Sequence, residues 1–209
     1  MAALKGSLTY TRFYVEGKIP SSYEDKFFSA IRHEAMRPLI ADEDVTERSG
    51  WTRIGEPFEI DLDIESVFSD RYINLGFRTD RWRIPAPMLR AKLREAEGTY
   101  LEKKGRERIG RKERAELKIL VAKKLRKQMT PSTRFVDFSW SLDEKVVRFF
   151  SQARLPAASM EELFQKTFGL KLVKQSPYTL AARIGLNSAQ ESAWESLDVT
   201  SLLRAENAG

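Results

Sequence analysis

The segment GRERIGRKER, residues 105–114, contains the residue types of a phosphate-binding loop. Gly105 and Gly110 are separated by four residues, as in a P-loop, and two cations follow Gly110. A P-loop, however, follows a buried strand and continues with a hydroxyl residue that reaches magnesium. Here a charged, helix-like run precedes the segment, and no hydroxyl follows Arg111 and Lys112. The spacing therefore predicts no nucleotide site, and we expect no cofactor and no metal.

The charge distribution favours a polyanionic partner instead. The chain has a net charge of +6, and residues 104–127 alone contain eleven Lys and Arg against three Glu, a net charge of +8. The remaining residues therefore sum to −2. One segment carries the whole basic excess, which is typical of a surface that binds the phosphates of a nucleic acid. The alternative is a solvated helix face with no partner.

Two helices are predicted in the basic region, over residues 88–103 and 111–129, since Pro85 and Pro87 open the first and Pro131 follows the second. On the second helix an apolar stripe is expected on one side and a basic ridge on the other. The stripe consists of Leu117, Leu120, Val121 and Leu125, with Lys124 intruding, and the ridge of Lys112, Lys123, Arg126 and Lys127. The stripe would dock the helix and leave the ridge free.

The predicted DNA-binding residues are the cations of this region and two arginines that flank Trp82, an aromatic residue that could stack on a base. They are Arg81, Arg83, Arg106, Arg108, Arg111, Lys112, Arg114, Lys118, Lys123, Arg126 and Lys127. No pattern of Asn, Gln and Arg for base recognition is evident, so we expect contacts to the phosphates with little sequence preference. Both duplex and single-stranded DNA remain possible partners.

The rest of the chain predicts an α+β fold, with an antiparallel sheet body, packed helices and a central two-helix basic excursion over about residues 86–130. Strands are expected at residues 7–15, 59–65 and 71–79, in a hairpin over 136–150, and at 170–173. Residues 50–57 contain two glycines and a proline and are expected to form turns around Trp51. Trp140 alternates with Val136 and Phe138 and is expected in the core.

Capping boxes predict the starts of two further helices. Ser21 and Glu24 would begin a helix that continues to about residue 40, and Ser159 and Glu162 a helix that ends at Gly169. Residues 1–180 are interpreted as a single domain. Residues 185–209 have a net charge of −3 and are interpreted as an acidic, flexible tail.

A metal-dependent nuclease is the main alternative function, and a third is an interaction module whose helical arm binds an acidic protein. Glu59, Asp61, Asp63 and Glu65 alternate with apolar residues and would share one face of a strand. Two such carboxylates could hold magnesium for phosphodiester cleavage. The same alternation is also the ordinary outer face of an amphipathic strand, which explains every acid without catalysis. We therefore expect no catalytic residue in this chain.

Composition excludes several other classes. The chain has no cysteine, which excludes disulfides and cysteine-ligated metals. The longest aliphatic run is about four residues, far shorter than the roughly 20 that a membrane-spanning helix needs, and no signal peptide is evident at the amino terminus. We expect a cytoplasmic protein that has no membrane partner.

Several segments resemble the RdgC family of bacterial recombination-associated DNA-binding proteins. They are GRKERAELK before a long helix, TRFVDFSWSLDEKVVRFFS, EELFQKTFGLKL and SPYTLA, together with Gly50–Trp51 and Ile84–Pro85. The likeness covers most of residues 5–182 as an ordered series of loose motifs. The resemblance is nearest to a shorter branch of the family, because longer members carry a further C-terminal portion that has no counterpart in this sequence.

The resemblance implies a function for the whole chain. Members of the family bind DNA without sequence specificity, associate with the nucleoid, assemble as ring-like homodimers with a basic central hole, and restrain the RecA recombinase by occupying DNA. By this resemblance the partners expected here are DNA and a second copy of the chain, with functional antagonism of RecA. It assigns no catalytic residue.

Overall fold

The computed structural model describes residues 8–196. They form seven strands and seven helices in an α+β arrangement, as the sequence predicts. The strands are β1 (Thr11–Glu16), β2 (Glu47–Thr52), β3 (Phe68–Ser69), β4 (Tyr72–Arg81), β5 (Ser132–Ser141), β6 (Val146–Phe149) and β7 (Lys171–Lys174). The helices are α1 (Tyr23–His33), α2 (Ile64–Val67), α3 (Ala86–Lys104), α4 (Arg111–Arg126), α5 (Arg154–Phe168), α6 (Pro177–Ile184) and α7 (Ser188–Glu195).

The seven strands make one antiparallel sheet in the order β2-β4-β5-β6-β1-β7, and β3 pairs with β4 at its start. The long central pair β4–β5 is in register from Tyr72 opposite Ser141 to Arg81 opposite Ser132. Since α3 and α4 connect these two strands, both ends of the helical excursion are fixed at the same end of this interior strand pair. The predicted excursion over about residues 86–130 is therefore confirmed in its position.

Helices α1 and α5 cover one face of the sheet with an aromatic core. Trp140 of β5 packs between Phe27 of α1 and Phe164 of α5, with ring centroids 5.5 and 5.2 Å apart. Trp51 of β2 is fully buried, and its indole Nε1 donates a hydrogen bond of 2.8 Å to Thr167 Oγ1. Because a buried indole N–H without a partner is costly, this hydrogen bond allows the large ring to lie inside the core.

The strand predicted at residues 59–65 is wrong. These residues form a loop that ends in the short helix α2. Of its three apolar residues, Leu62 is buried while Ile60 and Ile64 are exposed. Asp63 begins α2 because its side chain accepts a hydrogen bond of 2.7 Å from the backbone N–H of Ser66. The acids therefore do not share a strand face.

The turn region predicted over residues 50–57 does form turns at residues 54, 55 and 57, but it is wrong at Gly50 and Trp51, which lie within strand β2. Gly50 is needed there because the chain passes closely over it: a Cβ on Gly50 would lie 2.5 Å from Met36 Cα. The crossing segment hydrogen-bonds to the strand, with Met36 N–H donating to the Trp51 carbonyl and Trp51 N–H donating to the Glu34 carbonyl. A glycine that signals a turn in sequence here permits a close backbone approach.

That pairing also explains why α1 ends earlier than predicted. The helix stops at His33 rather than near residue 40, since residues 34–36 bond to β2 instead of continuing the helix. The capping boxes are not used either. Ser22 precedes α1 without a capping side-chain bond, and α5 begins at Arg154, upstream of Ser159. Pro156 lies in the first turn of α5, where a proline needs no N–H partner.

Gly169 ends α5 with a φ of 67°, as predicted, and β7 follows it. Helix α7 lies within the segment interpreted as a tail, and the rings of Tyr178 and Trp194 pack edge-on with centroids 5.7 Å apart. Residues 197–209 of that predicted tail lie outside the described residues. Between residues 8 and 196, no helix has the length and apolarity to cross a membrane.

Substitution by alanine should have opposite effects on the free energy of unfolding at two glycines. At Gly76, in the centre of β4, a Cβ would collide with the ring of Phe135 and with Thr52 Oγ1. We expect Gly76→Ala to lower the free energy of unfolding by about 1–3 kcal/mol through overpacking. At Gly98, in α3, a Cβ would meet no atom within 4 Å, and Gly98→Ala should raise it by about 0.5–1 kcal/mol. Urea unfolding of both variants measures the pair, and equal effects of the same sign would contradict this assignment.

Candidate nucleic-acid interface

Helices α3 and α4 pack against each other as a hairpin with its own small core. Leu93 of α3 and Val121 and Leu125 of α4 are buried together, apart from the main core under α1 and α5. Gly105 ends α3 in the left-handed conformation, with a φ of 59°, and Gly110 precedes α4. The glycines of the opening motif thus make the turn between two helices rather than a phosphate loop.

Glu113 holds this turn together. Its carboxylate accepts hydrogen bonds from the Gly110 N–H at 3.0 Å, from the Tyr100 hydroxyl at 2.8 Å, and from Arg106 at 3.2 Å. The Gly110 N–H, followed by the Tyr100 hydroxyl, lowers the pKa of Glu113 below its ordinary value, and the carboxylate in turn raises the pKa of Tyr100. Arg106 is therefore tied to the turn, whereas Arg108 and Lys112 are exposed and their side chains have no partner among residues 8–196.

A groove of about 570 Å³ runs between the two helices. Leu89 and Leu93 of α3 form its apolar floor, and four cations line it: Arg90 from α3, and Arg111, Arg114 and Lys118 from α4. The three residues from α4 share a face, because Arg114 lies three residues after Arg111 and four residues before Lys118 along the helix. The structure thus gathers three predicted site residues with Arg90, which is not among the predicted DNA-binding residues.

The groove cations differ in the partners that their side chains have. Arg114 forms an ion pair of 2.6 Å with Glu97 of α3, and Arg90 donates a hydrogen bond of 3.3 Å to the carbonyl of Ala86. The side chains of Arg111 and Lys118 have no ion-pair or hydrogen-bond partner within the described part of the chain. The charges of Arg111 and Lys118 are therefore available to an anionic ligand without the loss of an ion pair or a hydrogen bond.

Three of the four residues of the predicted basic ridge are bonded to the body of the protein, and Lys112 is the exception. Residues 42–44, an acidic loop after α1, contact its last turn: Asp44 pairs with Lys123 at 2.8 Å, and Asp42 pairs with Lys127 at 2.8 Å. Arg126 is buried and donates a hydrogen bond of 2.9 Å to the Glu43 carbonyl. The hydrogen bond from Lys123 lowers the pKa of Asp44. The predicted solvent-facing arc is wrong for Arg126, which is buried, and Lys123 is half-buried, whereas Lys127 is exposed although it is paired.

The predicted apolar stripe of α4 is wrong in one member. Val121 and Leu125 are buried and Leu117 packs against them, but Leu120 is 63% exposed. The buried arc of α4 is thus rotated relative to the predicted one, away from Leu120. Since Arg126 follows Leu125 at the end of the helix, this rotation turns its guanidinium towards the body of the protein.

The second predicted basic edge lies where β4 ends. Arg81 and Arg83 are exposed, and Arg81 is 3.4 Å from the carboxylate of Glu47. Arg78 is buried in an ion pair with Asp80, so it belongs to the sheet and not to this edge. Trp82 is half-buried, with its Nε1 enclosed and lacking a partner among the described residues. A base could reach no more than part of its ring.

The acids of the nuclease hypothesis serve local structure. Asp63 starts α2 and pairs with Arg53 at 2.7 Å, and a Glu59 oxygen accepts a hydrogen bond from the Asp61 N–H. The Ser66 N–H lowers the pKa of Asp63. Within residues 8–196, no three acidic or histidine side chains are grouped so that they could hold a metal ion.

Neither a protein-family model nor a curated protein matches this chain. The RdgC resemblance therefore stays a prediction, and the hairpin groove is the physical basis on which its DNA-binding part can be tested.

The lowered pKa of Glu113 predicts that the stability of the hairpin turn depends on pH. Because its folded pKa is lowered, the stabilisation is complete above the ordinary value of 4.5 and is lost as the pH falls through the folded pKa. We expect the Gly110 amide to exchange hydrogen faster in Glu113→Gln than in the wild type at pH 7, and this difference to shrink towards pH 3, after correction for intrinsic exchange.

The matched control is Glu107→Gln, which removes an exposed carboxylate from the same turn. It should leave the exchange of the Gly110 amide unchanged at both pH values. A difference between wild type and Glu113→Gln that is equal at pH 3 and pH 7 would contradict a role for the ionised carboxylate.

Proposed function

We propose that this chain binds DNA through the phosphate backbone, in the groove between α3 and α4. The observation that carries the proposal is the convergence of Arg90, Arg111, Arg114 and Lys118 on one groove, two of them without a competing partner. A row of guanidinium and ammonium groups along a groove suits a row of phosphates, because each contact releases a condensed counterion from the nucleic acid.

The composition of α4 supports binding without sequence preference. Its sixteen residues include no Asn and no Gln, the side chains that pair with adenine in the major groove. The cations themselves can bind any phosphate. Affinity should therefore depend on the charge and geometry of the backbone and vary little between DNA sequences of the same length.

The lining of the groove favours duplex over single-stranded DNA. Single-strand binders combine a basic groove with aromatic side chains on which bases stack. The residues that line this groove are four cations, two leucines and two alanines, with no aromatic among them. Unstacked bases would thus gain little here, whereas the phosphates of a duplex need no stacking surface.

The resemblance to the RdgC family extends the proposal. A protein that covers the DNA backbone without sequence preference would compete with a recombinase for the same DNA, so we propose nucleoid association and antagonism of RecA as the role of this binding. Homodimerisation belongs to the same proposal, since two grooves on one particle raise the effective concentration of the second. Sedimentation of the chain alone and with DNA measures that assembly.

Removing the two unpaired groove cations should weaken DNA binding. We expect Arg111→Gln with Lys118→Gln to reduce affinity uniformly across duplex sequences. The slope of log affinity against log salt should become shallower by about two units. If the groove and the exposed turn make about six phosphate contacts, the wild-type slope should be about −5. Fluorescence anisotropy at several salt concentrations measures both quantities.

The control is Lys18→Gln with Lys26→Gln, an equal change of charge at two exposed lysines outside the hairpin. Both double variants should fold, because exposed substitutions usually change stability by less than about 0.5 kcal/mol. If the control weakens binding as much as the groove variant, net charge alone carries the affinity. A wild-type slope shallower than about −2 would rule out a phosphate-binding groove.

DNA cleavage is not expected in the presence of magnesium. Asp63 and Glu59 are engaged in local hydrogen bonds, and the acids of residues 59–65 are not arranged around a common point. End-labelled duplex and single strands incubated with excess protein and Mg²⁺ should stay intact. Degradation that is abolished in Asp61→Asn and Asp63→Asn would overturn this expectation and establish the nuclease.

A further inference from the structure

A second cationic cleft lies at the end of the sheet, beside the start of α5. Three arginines line it from two neighbouring strands and the segment after them: Arg81 at the end of β4, Arg83 two residues later, and Arg134 near the start of β5. In the β4–β5 register, Thr79 lies opposite Arg134 and Arg81 lies opposite Ser132. Since residues two apart on a strand share a face, strand pairing places Arg81 and Arg134 on the same side of the sheet.

The charges of this cleft are not balanced. Glu47 is the one carboxylate that lines it, and it faces Arg81 at 3.4 Å. The side chains of Arg83 and Arg134 have no ion-pair or hydrogen-bond partner among the described residues. Three guanidinium groups therefore converge with one compensating acid, an arrangement that costs free energy through repulsion unless an anion or solvent offsets it.

Hydroxyl groups supply further donors. Ser132 comes from β5 and Ser159 from the second turn of α5, and both line the cleft. Neither hydroxyl has a hydrogen-bond partner in the part of the chain that the structure describes. Because α5 begins at Arg154, Ser159 is not the helix cap that its sequence context predicts, and its hydroxyl remains available to a ligand.

The size of the cleft restricts the ligand. Its volume is about 80 Å³, room for several water-sized spheres of about 10–15 Å³ each. A phosphoryl group, with one phosphorus and four oxygens, is of this size, whereas a nucleobase is larger. Buried Phe77 and half-buried Val136 form an apolar wall, which excludes water from one side and strengthens any ionic contact made within.

We propose that this cleft binds the phosphoryl group of a phosphate monoester. Arginine forks match the oxygens of phosphate by paired hydrogen bonds, which a lysine cannot reproduce. A monoester carries about −1.5 to −2 charges at pH 7, against one for an internal phosphodiester, so the excess of arginine favours it. The hydroxyls of Ser132 and Ser159 donate to the remaining oxygens.

Two sources could present such a group: a free nucleotide or the terminal phosphate of a DNA strand. Residues 83–86 lead from the cleft directly into the first turn of α3, where Ala86 lines the hairpin groove. A strand end bound in the cleft could thus continue along that groove. This second source rests on the proposed DNA binding, whereas the affinity for a monoester does not.

The first experiment uses the full chain without DNA. Inorganic phosphate and deoxyadenosine 5′-monophosphate are titrated by calorimetry into the wild type, into Arg83→Gln with Arg134→Gln, and into the charge-matched control Lys18→Gln with Lys26→Gln. We expect saturable binding by the wild type and the control, and a loss of at least tenfold in the arginine variant. Absent binding, or equal binding by all three proteins, would overturn the proposal.

A conservative variant separates geometry from charge. Arg134→Lys retains the positive charge but loses the planar fork, so monoester affinity should fall between those of the wild type and the double variant. Circular dichroism of each variant confirms that it is folded. Retention of full affinity in Arg134→Lys would contradict paired hydrogen bonding as the mode of recognition.

The second experiment identifies the source by comparing duplexes with 5′-phosphate and 5′-hydroxyl ends. Tighter binding of phosphorylated ends, lost in Arg83→Gln with Arg134→Gln but kept in Arg111→Gln with Lys118→Gln at reduced overall affinity, supports a strand end. Equal affinity for both duplexes, with monoester binding intact, supports a free nucleotide. If no duplex binds while the monoester does, the proposed DNA binding fails and this site stands.

Discussion

The packing of Val121 and Leu125 against Leu93 sets the rotation of α4 about its axis. That rotation determines which way each cation of α4 faces. With these residues buried, Arg111, Arg114 and Lys118 face the groove with α3, and the last turn faces the body. A small apolar cluster therefore determines which charges are exposed to a ligand.

The acidic loop at residues 42–44 complements this arrangement. It neutralises Lys123 and Lys127 and accepts a hydrogen bond from Arg126, so that the carboxyl end of α4 is attached to the body by charge and not by a large apolar contact. Exposed ion pairs contribute little stability individually. Their effect here is selective, because the cations of α4 that remain without a partner among the described residues are Arg111, Lys112, Lys118 and Lys124.

Strong local patterns identified most of the fold. The alternation of Ile73, Leu75 and Phe77, and the hairpin of β5 and β6, correspond to buried residues of an antiparallel sheet. Prolines and glycines located both helices of the excursion to within a few residues. Weak patterns failed where a tertiary contact competed with them. Residues 59–65 alternate like a strand, yet Asp63 caps α2 and the sheet offers them no partner strand.

The amino-acid sequence by itself determined the α+β class, the position of the basic excursion and the sign of its charge, since composition, periodicity and helix punctuation are local properties. Tertiary structure alone decided which cations are free. Arg126 and Lys118 look alike in the sequence, but one is buried against Glu43 and the other lies in an open groove. Strand register places Arg134 on the same side of the sheet as Arg81, although the two residues are 53 positions apart in the sequence. Contacts between distant segments depend on the packing of the whole chain, so no local pattern contains them.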